Sequence, residues 1–129
     1  MTELDTGQIT KWIVGKLQAI TGLEVVLSNP SGDSKFPCAV VGTPLIRIVR
    51  TEEAIPVEID ISVPIDYWAN TKYNVMSLSD DGNIELRKMN LTRVNTTIDT
   101  FDEITKKYRY GGNYETTFNA ITGAFENRR

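Results

Sequence analysis

The feature that most constrains this chain is the stretch 56–66, in which apolar β-branched residues alternate with polar residues or proline. The apolar positions are Val57, Ile59, Ile61, Val63 and Ile65. A two-residue period places such side chains on one face of a β-strand, whereas a helix would scatter them around its axis. One strand cannot bury this row alone, so it belongs in a sheet whose apolar face is covered by other elements. The pattern predicts a long strand with one buried and one polar face.

The size and composition of the chain are typical of a single globular domain. It has 129 residues, of which 40% are hydrophobic and 24% charged, and we expect residues 1–129 to form one domain. No apolar run reaches the roughly 18 residues of a membrane span, and residues 1–5 lack the basic start and apolar segment of a secretory signal. We therefore expect no membrane association and a protein that stays in the cytosol where it is made. The net charge of −3 does not favour nucleic acid as a partner.

A helix is predicted before the long strand, over about residues 6–21. Asp5 and Gln8 have the spacing of a capping box, and apolar residues then recur at helical intervals. Gly22 is the residue type that ends helices in a left-handed conformation. We expect residues 23–27 to follow as a short strand.

A second helix is predicted after the long strand, over about residues 71–89, with Asn70 or Thr71 as its cap. Its apolar face consists of residues spaced three and four apart, namely Val75, Leu78, Gly82, Leu86 and Met89. Glycine costs about 1 kcal/mol of helix propensity, so Gly82 marks either a close packing contact or a break at residues 80–83. The apolar faces of the two helices are the natural cover for the sheet.

A long hairpin is predicted around the start of the strand at 56–66. Its other strand region spans about residues 38–50 and is interrupted by Gly42 and Pro44. Proline cannot donate to a strand ladder, so Pro44 indicates an edge position or a bulge. Residues 50–55 form a charged connection whose acidic tip we expect to project into solvent or towards a partner.

The C-terminal part of the chain predicts shorter elements. Residues 91–94 are typical of a strand, and the capping-box pattern at 100–103 favours a short helical turn. Residues 108–121 surround Gly111-Gly112-Asn113 and predict either a hairpin or one strand, and residues 123–129 are typical of a frayed tail. The whole pattern predicts an α+β fold: a single domain with a mainly antiparallel twisted sheet, a long hairpin and two helices on one face.

The chain contains no histidine, which removes the commonest general base and metal ligand. Ser/His and Cys/His nucleophilic sites are therefore excluded. Carboxylate pairs remain as candidate catalytic groups, and the pairs are Glu52/Glu53, Asp80/Asp81 and Asp102/Glu103. Each pair lies in a predicted turn, cap or loop, which favours a solvated structural role. The single cysteine, Cys38, lies in an apolar run and is expected to be a buried thiol.

Two further ligand patterns fail or are weak. A calcium loop aligned on Gly82 would place Ser77 and Lys88 where the loop requires Asp and Glu, so no metal site is predicted. The aromatic residues Tyr108, Tyr110, Tyr114 and Phe118 alternate with basic residues, as in proteins that stack on single-stranded nucleic acid. Alternating aromatic residues on a sheet are more often core and interface, so we expect no sequence-specific nucleic acid partner and no cofactor.

Three segments of the C-terminal half carry a family resemblance: the predicted helix from Met76 to Met89, FDEITKKY at 101–108, and YETTFNA at 114–120. With these segments the chain resembles the tail terminator (tail completion, or tail-to-head joining) proteins of long-tailed bacteriophages. Those proteins have a similar length and element order: an N-terminal helix, a long hairpin, a second helix and closing strands.

The resemblance implies a structural protein of the virion and no enzyme. Members of the family form hexameric rings that bind the end of the growing tail tube, stop its polymerisation and present a surface to the head connector. The implied partners are further copies of the chain, the tail tube protein and the head connector or neck protein, with DNA passing through the ring lumen. The implied location is the head-proximal end of the tail, after assembly in the host cytoplasm.

The end of the hairpin is the predicted contact with a neighbouring subunit or the tube, since its charged residues are too polar for the core. These residues are Arg47, Arg50, Glu52 and Glu53, with Tyr108, Arg109 and Tyr110 as secondary candidates. Two alternatives stay open. One is a neck or head-to-tail connector protein of the stopper type, and the other is a small carboxylate-dependent enzyme that uses Glu52/Glu53 or Asp80/Asp81.

Overall fold

The computed structural model describes residues 5–31 and 34–126. These residues form two α-helices and an eight-stranded, mostly antiparallel sheet on which the helices pack, which confirms the predicted α+β fold. In chain order the elements are α1 (Thr6–Leu17), β1 (Glu24–Val26), β2 (Cys38–Val41), β3 (Leu45–Glu52), β4 (Ile55–Ala69), α2 (Lys72–Arg87), β5 (Thr92–Arg93), β6 (Ile98–Asp102), β7 (Lys107–Asn119) and β8 (Ala124–Glu126). Residues 127–129 of the predicted tail lie outside the described part of the chain.

Two long strands, β4 and β7, form the centre of the sheet. They pair antiparallel from Glu58 opposite Asn119 to Ala69 opposite Tyr108. The other edge of β4 pairs with β2 along its C-terminal part and with β3 along its N-terminal part. The outer edge of β7 pairs with β6, β5 and β8, and β1 lies beyond β2 in a parallel pair. The β3 hairpin and β5 are therefore at opposite edges of the sheet.

The alternating stretch 56–66 lies in β4, as predicted. Its apolar side chains from Val57 to Ile65 face the helix layer, and the most exposed of them, Ile59, is only 8% accessible. Tyr67 continues this row beyond the predicted stretch and is fully buried. The alternation identified the buried face because each step along an extended strand turns the next side chain to the opposite side of the sheet.

Helix α1 begins as predicted and ends earlier than predicted. The Asp5 carboxylate accepts a hydrogen bond from the Gln8 backbone N–H at 2.8 Å, which is the expected N-cap contact. The helix stops at Leu17 because the chain tightens into turns, in which Ile20 N–H donates to the Leu17 carbonyl at 3.0 Å. Gly22 does adopt a left-handed conformation, with φ of 79°, but it lies in the turn after the helix.

Helix α2 is continuous through Gly82, which resolves the two alternatives for this residue. Thr71 is the cap, and its hydroxyl accepts from the Asn74 N–H at 3.1 Å. A Cβ at Gly82 would lie 2.0 Å from Tyr67 Oη, so the glycine permits α2 to lie directly on the central strand. The helix ends at Arg87, two residues before the predicted end.

The predicted strand region at 38–50 is two strands, interrupted at residues 42–44, and Pro44 directly precedes the edge strand β3. The irregularity comes later, where the register between β3 and β4 shifts around Arg50. The hairpin turn is shorter than the predicted connection at 50–55. It consists of Glu53 and Ala54, with φ of 52° and 66°, as in the turns that match the twist of two-residue hairpins.

Of the C-terminal predictions, one pair of alternatives is resolved and two predictions are corrected. Of the two alternatives for residues 108–121 the structure shows one strand, at 107–119, so Gly111 and Gly112 are not a turn. A Cβ at Gly111 would lie 2.2 Å from the Ile65 carbonyl oxygen, and one at Gly112 would lie 1.9 Å from that of Asn95. Residues 100–102 belong to strand β6, and the loop after them is a hairpin turn in which the Asp102 carboxylate accepts from the Thr105 N–H at 2.8 Å. Residues 124–126 pair with β7 as β8, so this part of the predicted tail is ordered by a strand ladder.

Candidate subunit interface

Strand β3 is an exposed edge strand with an apolar composition. All eight of its residues are exposed, which is true of no other strand in the described part of the chain, and its pairing there is with β4 alone. Four of its side chains are large and apolar: Leu45 at 70% exposure, Ile46 at 37%, Ile48 at 55% and Val49 at 44%. An uncovered edge with apolar side chains is a template for pairing with another chain.

The position of the helices explains why β3 is uncovered. Ile46 and Ile48 are opposite Ile61 and Ile59 across the ladder, and therefore share the face that α2 covers on β4. Helix α1 packs on β2 and on α2. The helix layer thus ends at β4 for this part of the sheet, and the same apolar face that is core on β4 is open to solvent on β3.

The opposite face of the hairpin is polar and paired within the subunit. Arg47 donates to Asp60 at 2.6 Å, and Asp60 also accepts from the Thr117 hydroxyl at 2.9 Å. Arg50 bonds Glu52 at 2.7 Å and Glu58 at 3.3 Å, and these hydrogen bonds, that with Glu52 first, raise the pKa of the Arg50 guanidinium. The two faces of β3 therefore differ: one carries the paired charges together with Leu45, and the other carries Ile46 and Ile48.

The four residues predicted as the interface, Arg47, Arg50, Glu52 and Glu53, all lie on β3 or its turn. The first three take part in ion pairs inside the subunit. Glu53 is at the tip, exposed, and makes no ion pair with any residue that the structure describes. Of the four, Glu53 is therefore the one whose charge is not paired with that of a described residue.

The secondary candidates Tyr108, Arg109 and Tyr110 do not form one surface, because neighbours along β7 alternate between faces. Tyr108 packs edge-on against Phe101 at 5.0 Å on the helix side. Arg109 lies on the other side and donates twice to Asp66, at 3.2 and 3.1 Å. Its role is to neutralise an acid of its own subunit.

Asp66 is a buried carboxylate of β4, opposite Val40 of β2 and on the face of the sheet away from the helices. It also accepts from Trp68 Nε1 at 2.7 Å, and the Arg109 guanidinium lies 4.5 Å from the Trp68 ring centroid. Burial raises the pKa of Asp66, while the charge and hydrogen bonds of Arg109 act against that shift. These contacts pair the charge of Asp66 with that of Arg109 and hold the Trp68 indole against both groups.

The carboxylate pairs considered for catalysis lie at the surface. Glu52/Glu53 are at the hairpin tip, Asp80/Asp81 are exposed on α2, and Asp102/Glu103 are in the β6–β7 turn. The pKa of Asp102 is lowered because its carboxylate accepts from the backbone and hydroxyl of Thr105. Across residues 5–31 and 34–126, no three acidic or cysteine side chains are placed to hold a metal ion, and no helix there is long and apolar enough to cross a membrane.

Cys38 is buried, as predicted, with no exposed surface. Burial, with a smaller contribution from the negative charges of Asp66 and Glu24, raises the pKa of its thiol to about 12. A thiol with such a pKa is almost entirely protonated at neutral pH, and the protonated form is a poor nucleophile.

A basic cleft between α2 and β5 was not predicted. It has a volume of about 240 Å³ and is lined by Asn83, Arg87, Thr92 and Arg93. Arg93 donates to the buried Ser79 hydroxyl, and its guanidinium lies 5.1 Å from the Tyr110 ring centroid. The Asn83 side-chain oxygen accepts from the Tyr114 hydroxyl, which is 3.1 Å from the Tyr67 hydroxyl. The two arginines are thus held at the rim of a buried polar network.

Sequence reasoning missed this cleft and the exposed row on β3 for different reasons. Arg87 ends a helix and Arg93 belongs to a two-residue strand, so no periodicity joins them. The apolar residues of β3 were identified as strand residues, but composition does not say whether a strand will be covered. The signals present are Pro44 and the charged residues Arg47 and Arg50, which are residue types that edge strands commonly carry.

In comparisons with known proteins, no protein-family model and no curated protein sequence matches this chain.

Proposed function

We propose that this protein is a structural, non-catalytic subunit that assembles into a ring at the head-proximal end of a bacteriophage tail. There it ends the growth of the tail tube and joins the head connector. The biological setting comes from the family resemblance of the three C-terminal segments. The observation that carries the assembly part is the exposed apolar edge of β3.

A strand with free backbone groups and exposed aliphatic side chains is an aggregation hazard unless a partner covers it. On β3 the aliphatic side chains Ile46 and Ile48 are 37% and 55% exposed, while Arg47 and Arg50 on the same strand are paired with acids of β3 and β4. This arrangement suits a partner that covers the aliphatic face and leaves the charged face in water.

Ring formation supports tube termination for a simple geometric reason. A tube grows when each added ring recreates the surface on which the next ring binds. A ring of a different subunit that fits the tube on one side only ends that series. The order of elements in this chain, with an N-terminal helix, a long hairpin, a second helix and closing strands, is the one that the resemblance implies for such subunits.

The proposal is tested first on the purified protein. We expect sedimentation at micromolar concentration to give about six times the chain mass of 14.5 kDa, alone or with tail tube protein. Ile48→Asp should weaken this association because it places a charge on the edge of β3 that a partner covers in the ring. The matched control is Ile104→Asp, since Ile104 is 88% exposed in the β6–β7 turn, away from β3.

The second test is genetic. Deleting the protein from a phage that encodes it should give abnormally long tails that do not join heads, and the Ile104→Asp protein should restore normal particles better than the Ile48→Asp protein. Tails of normal length in the deletion would overturn the terminator function and favour the neck connector.

A further inference from the structure

Three of the five arginines in the described residues are paired with carboxylates, and two are not. Arg47, Arg50 and Arg109 each contact an acid of their own subunit. Arg87 and Arg93 form no ion pair with a carboxylate of residues 5–31 or 34–126, and these are the two that line the same cleft. The described residues therefore form a small concave surface in which neither arginine is paired with a carboxylate of those residues.

The two guanidinium groups of the cleft are held in place by neutral partners. The Ser79 hydroxyl and the Tyr110 ring fix Arg93, and Arg87 Nε donates to the Asn83 carbonyl at 3.2 Å in its own helix. The Asn83 side-chain oxygen is occupied by the Tyr114 hydroxyl, which leaves the amide nitrogen as a further donor. Oriented guanidinium and amide donors around a concave surface are suited to a carboxylate.

The hairpin tip offers the complementary group. Glu53 is exposed at the turn, its backbone is in the left-handed region with φ of 52°, and no ion pair to the described residues holds its carboxylate. Its neighbour Glu52 is different, because Arg50 binds it at 2.7 Å. Glu53 is therefore the acid at the tip that is available to another molecule.

The tip and the cleft belong to opposite edges of the sheet. The hairpin is on the outer side of β4, whereas Arg93 belongs to β5, on the outer side of β7. Two complementary surfaces at opposite edges of one subunit make a heterologous contact, in which the tip of each copy meets the cleft of the next. Repeated contacts of this kind close into a ring when the rotation between copies allows it.

We infer that the occupant of the arginine cleft is the hairpin tip of a second copy of this chain, with the Glu53 carboxylate bound between Arg87 and Arg93. This inference rests on the proposed ring, and it adds the residues that join one subunit to the next. The apolar face of β3 lies beside the tip on the same hairpin, so the charged contact orients an interface that the aliphatic side chains then bury.

Charge reversal tests the contact. Glu53→Lys and Arg87→Glu should each weaken self-association about tenfold or more, because each brings like charges together at every interface of the ring. The effect of either change should be smaller at about 500 mM salt than at about 50 mM salt. The matched controls are Glu103→Lys, at the turn of the β6–β7 hairpin, and Lys88→Glu, next to Arg87 but paired with Glu85 at 2.9 Å.

Mixing the two variants gives the sharpest test of the head-to-tail contact. A Glu53→Lys subunit has a basic tip and a basic cleft, and an Arg87→Glu subunit has an acidic tip and a weakened, partly acidic cleft. Neither variant should assemble well alone, yet an equimolar mixture should form rings in which the two variants alternate. In such a ring the lysine at position 53 of one variant meets the glutamate at position 87 of the other, and the unchanged Glu53 meets the unchanged Arg87 and Arg93. The double variant with both changes in one chain should also recover assembly.

The outcomes separate this inference from the proposed function. If the parent protein assembles and both reversals assemble as well as their controls, the tip does not occupy the cleft, although the ring stands. The pairing of Glu53 with the cleft is also overturned if neither the mixture nor the double variant assembles, although every variant unfolds at the same temperature as the parent. A parent protein that stays monomeric at about 100 µM, with and without tube protein, overturns the ring itself.

Discussion

Strands β2 and β3 pair with the same edge of β4, β2 with its C-terminal part and β3 with its N-terminal part. Both are rich in aliphatic residues, yet all four residues of β2 are buried and all eight of β3 are exposed. On β2, Ala39 and Val41 pack in the core under the helices, while Cys38 and Val40 pack with Trp68 on the other face. No element formed by the described residues covers β3 in this way. The difference shows that cover by other elements, rather than composition, decides whether a strand of this sheet is buried or exposed.

The largest effect that this comparison predicts is from a charge placed on each strand. Val41→Asp should lower the free energy of unfolding by about 4 kcal/mol or more, because it buries an unpaired carboxylate. Ile48→Asp should lower it by less than about 1 kcal/mol, since Ile48 is 55% exposed in the subunit. Denaturant titration of dilute, unassembled protein measures both values. Equal losses would mean that β3 is already covered within one subunit.

The rates at which cysteine thiols are alkylated measure the same difference in burial between β2 and β3. The pKa of Cys38 is about 12 instead of 9.0, so at pH 8 its thiolate fraction, and with it its labelling rate, should be about a thousandfold below that of an ordinary cysteine. A cysteine placed on β3 by Ile48→Cys should react at an ordinary rate, because position 48 is 55% exposed. Peptide mapping after timed alkylation distinguishes the two sites. Assembly should then slow the labelling of position 48, on the aliphatic face of β3, and leave that of Cys38 unchanged.

The raised pKa of Cys38 also predicts a pH dependence of stability. Because the folded protein holds the thiol proton more tightly than the unfolded chain, this contribution is complete below pH 9 and is lost as the pH rises towards about 12. The buried hydroxyls of Tyr67 and Tyr114, whose pKa values burial also raises, act in the same direction at high pH. Replacing Cys38 by alanine should therefore make the loss of stability above pH 9 less steep, and an unchanged slope would assign it to the tyrosines alone.

The packing of the helices over the sheet can be tested at one glycine in each helix. Gly82→Ala should cost about 1–3 kcal/mol of unfolding free energy, because the added Cβ would lie 2.0 Å from Tyr67 Oη and push α2 off β4. Gly15→Ala should instead stabilise the protein by up to about 1 kcal/mol, since nothing lies within 4 Å of its Cβ in α1. Thermal or denaturant unfolding of the two variants measures the difference. A similar result for both would show that α2 has room above Tyr67.

The smallest effects concern two ion pairs on the face of the sheet away from the helices, one beside β2 and one on β3. Arg109→Ala should cost on the order of 2 kcal/mol, because it leaves the buried Asp66 opposite β2 without its cation. Arg47→Ala on β3 should cost less than about 1 kcal/mol, since Arg47 is 79% exposed and Asp60 keeps its bond from Thr117. Unfolding at low and high salt checks both values. A larger loss for Arg47→Ala would indicate that the polar face of β3 contributes to the fold.

Those parts of the fold that depend on local patterns could be predicted from the sequence. The alternation at 57–65 and the cap residues Asp5 and Thr71 act through backbone geometry and contacts a few residues apart, so they are visible in a short window. They identified β4 and the starts of both helices. The α+β class followed because those elements leave few ways to bury the apolar row.

The errors and the alternatives left open occurred where a distant part of the chain decides the local structure. Gly111 and Gly112 have the residue types of a turn, but they lie mid-strand, where Ile65 and Asn95 approach the backbone too closely for any side chain. Residues 124–126 became a strand because β7 presents an edge to them. The candidate interface divides in the same way: the charged tip was visible in the sequence, whereas the arginine cleft exists only after α2 and β5 are brought together.

The pairing of β4 with β7 bears on the order in which the chain acquires its structure. Ala69 is opposite Tyr108, and all of α2, β5 and β6 lies between them in the chain. During synthesis the β3–β4 hairpin is complete before β7 has left the ribosome, so the nascent chain holds an apolar hairpin whose main partner strand does not yet exist. Pairings that close such long loops form late and slowly. We expect newly made subunits to pass through a period in which both edges of this hairpin are unpaired and prone to aggregate. Co-expression with a chaperone or with a binding partner should therefore raise the soluble yield.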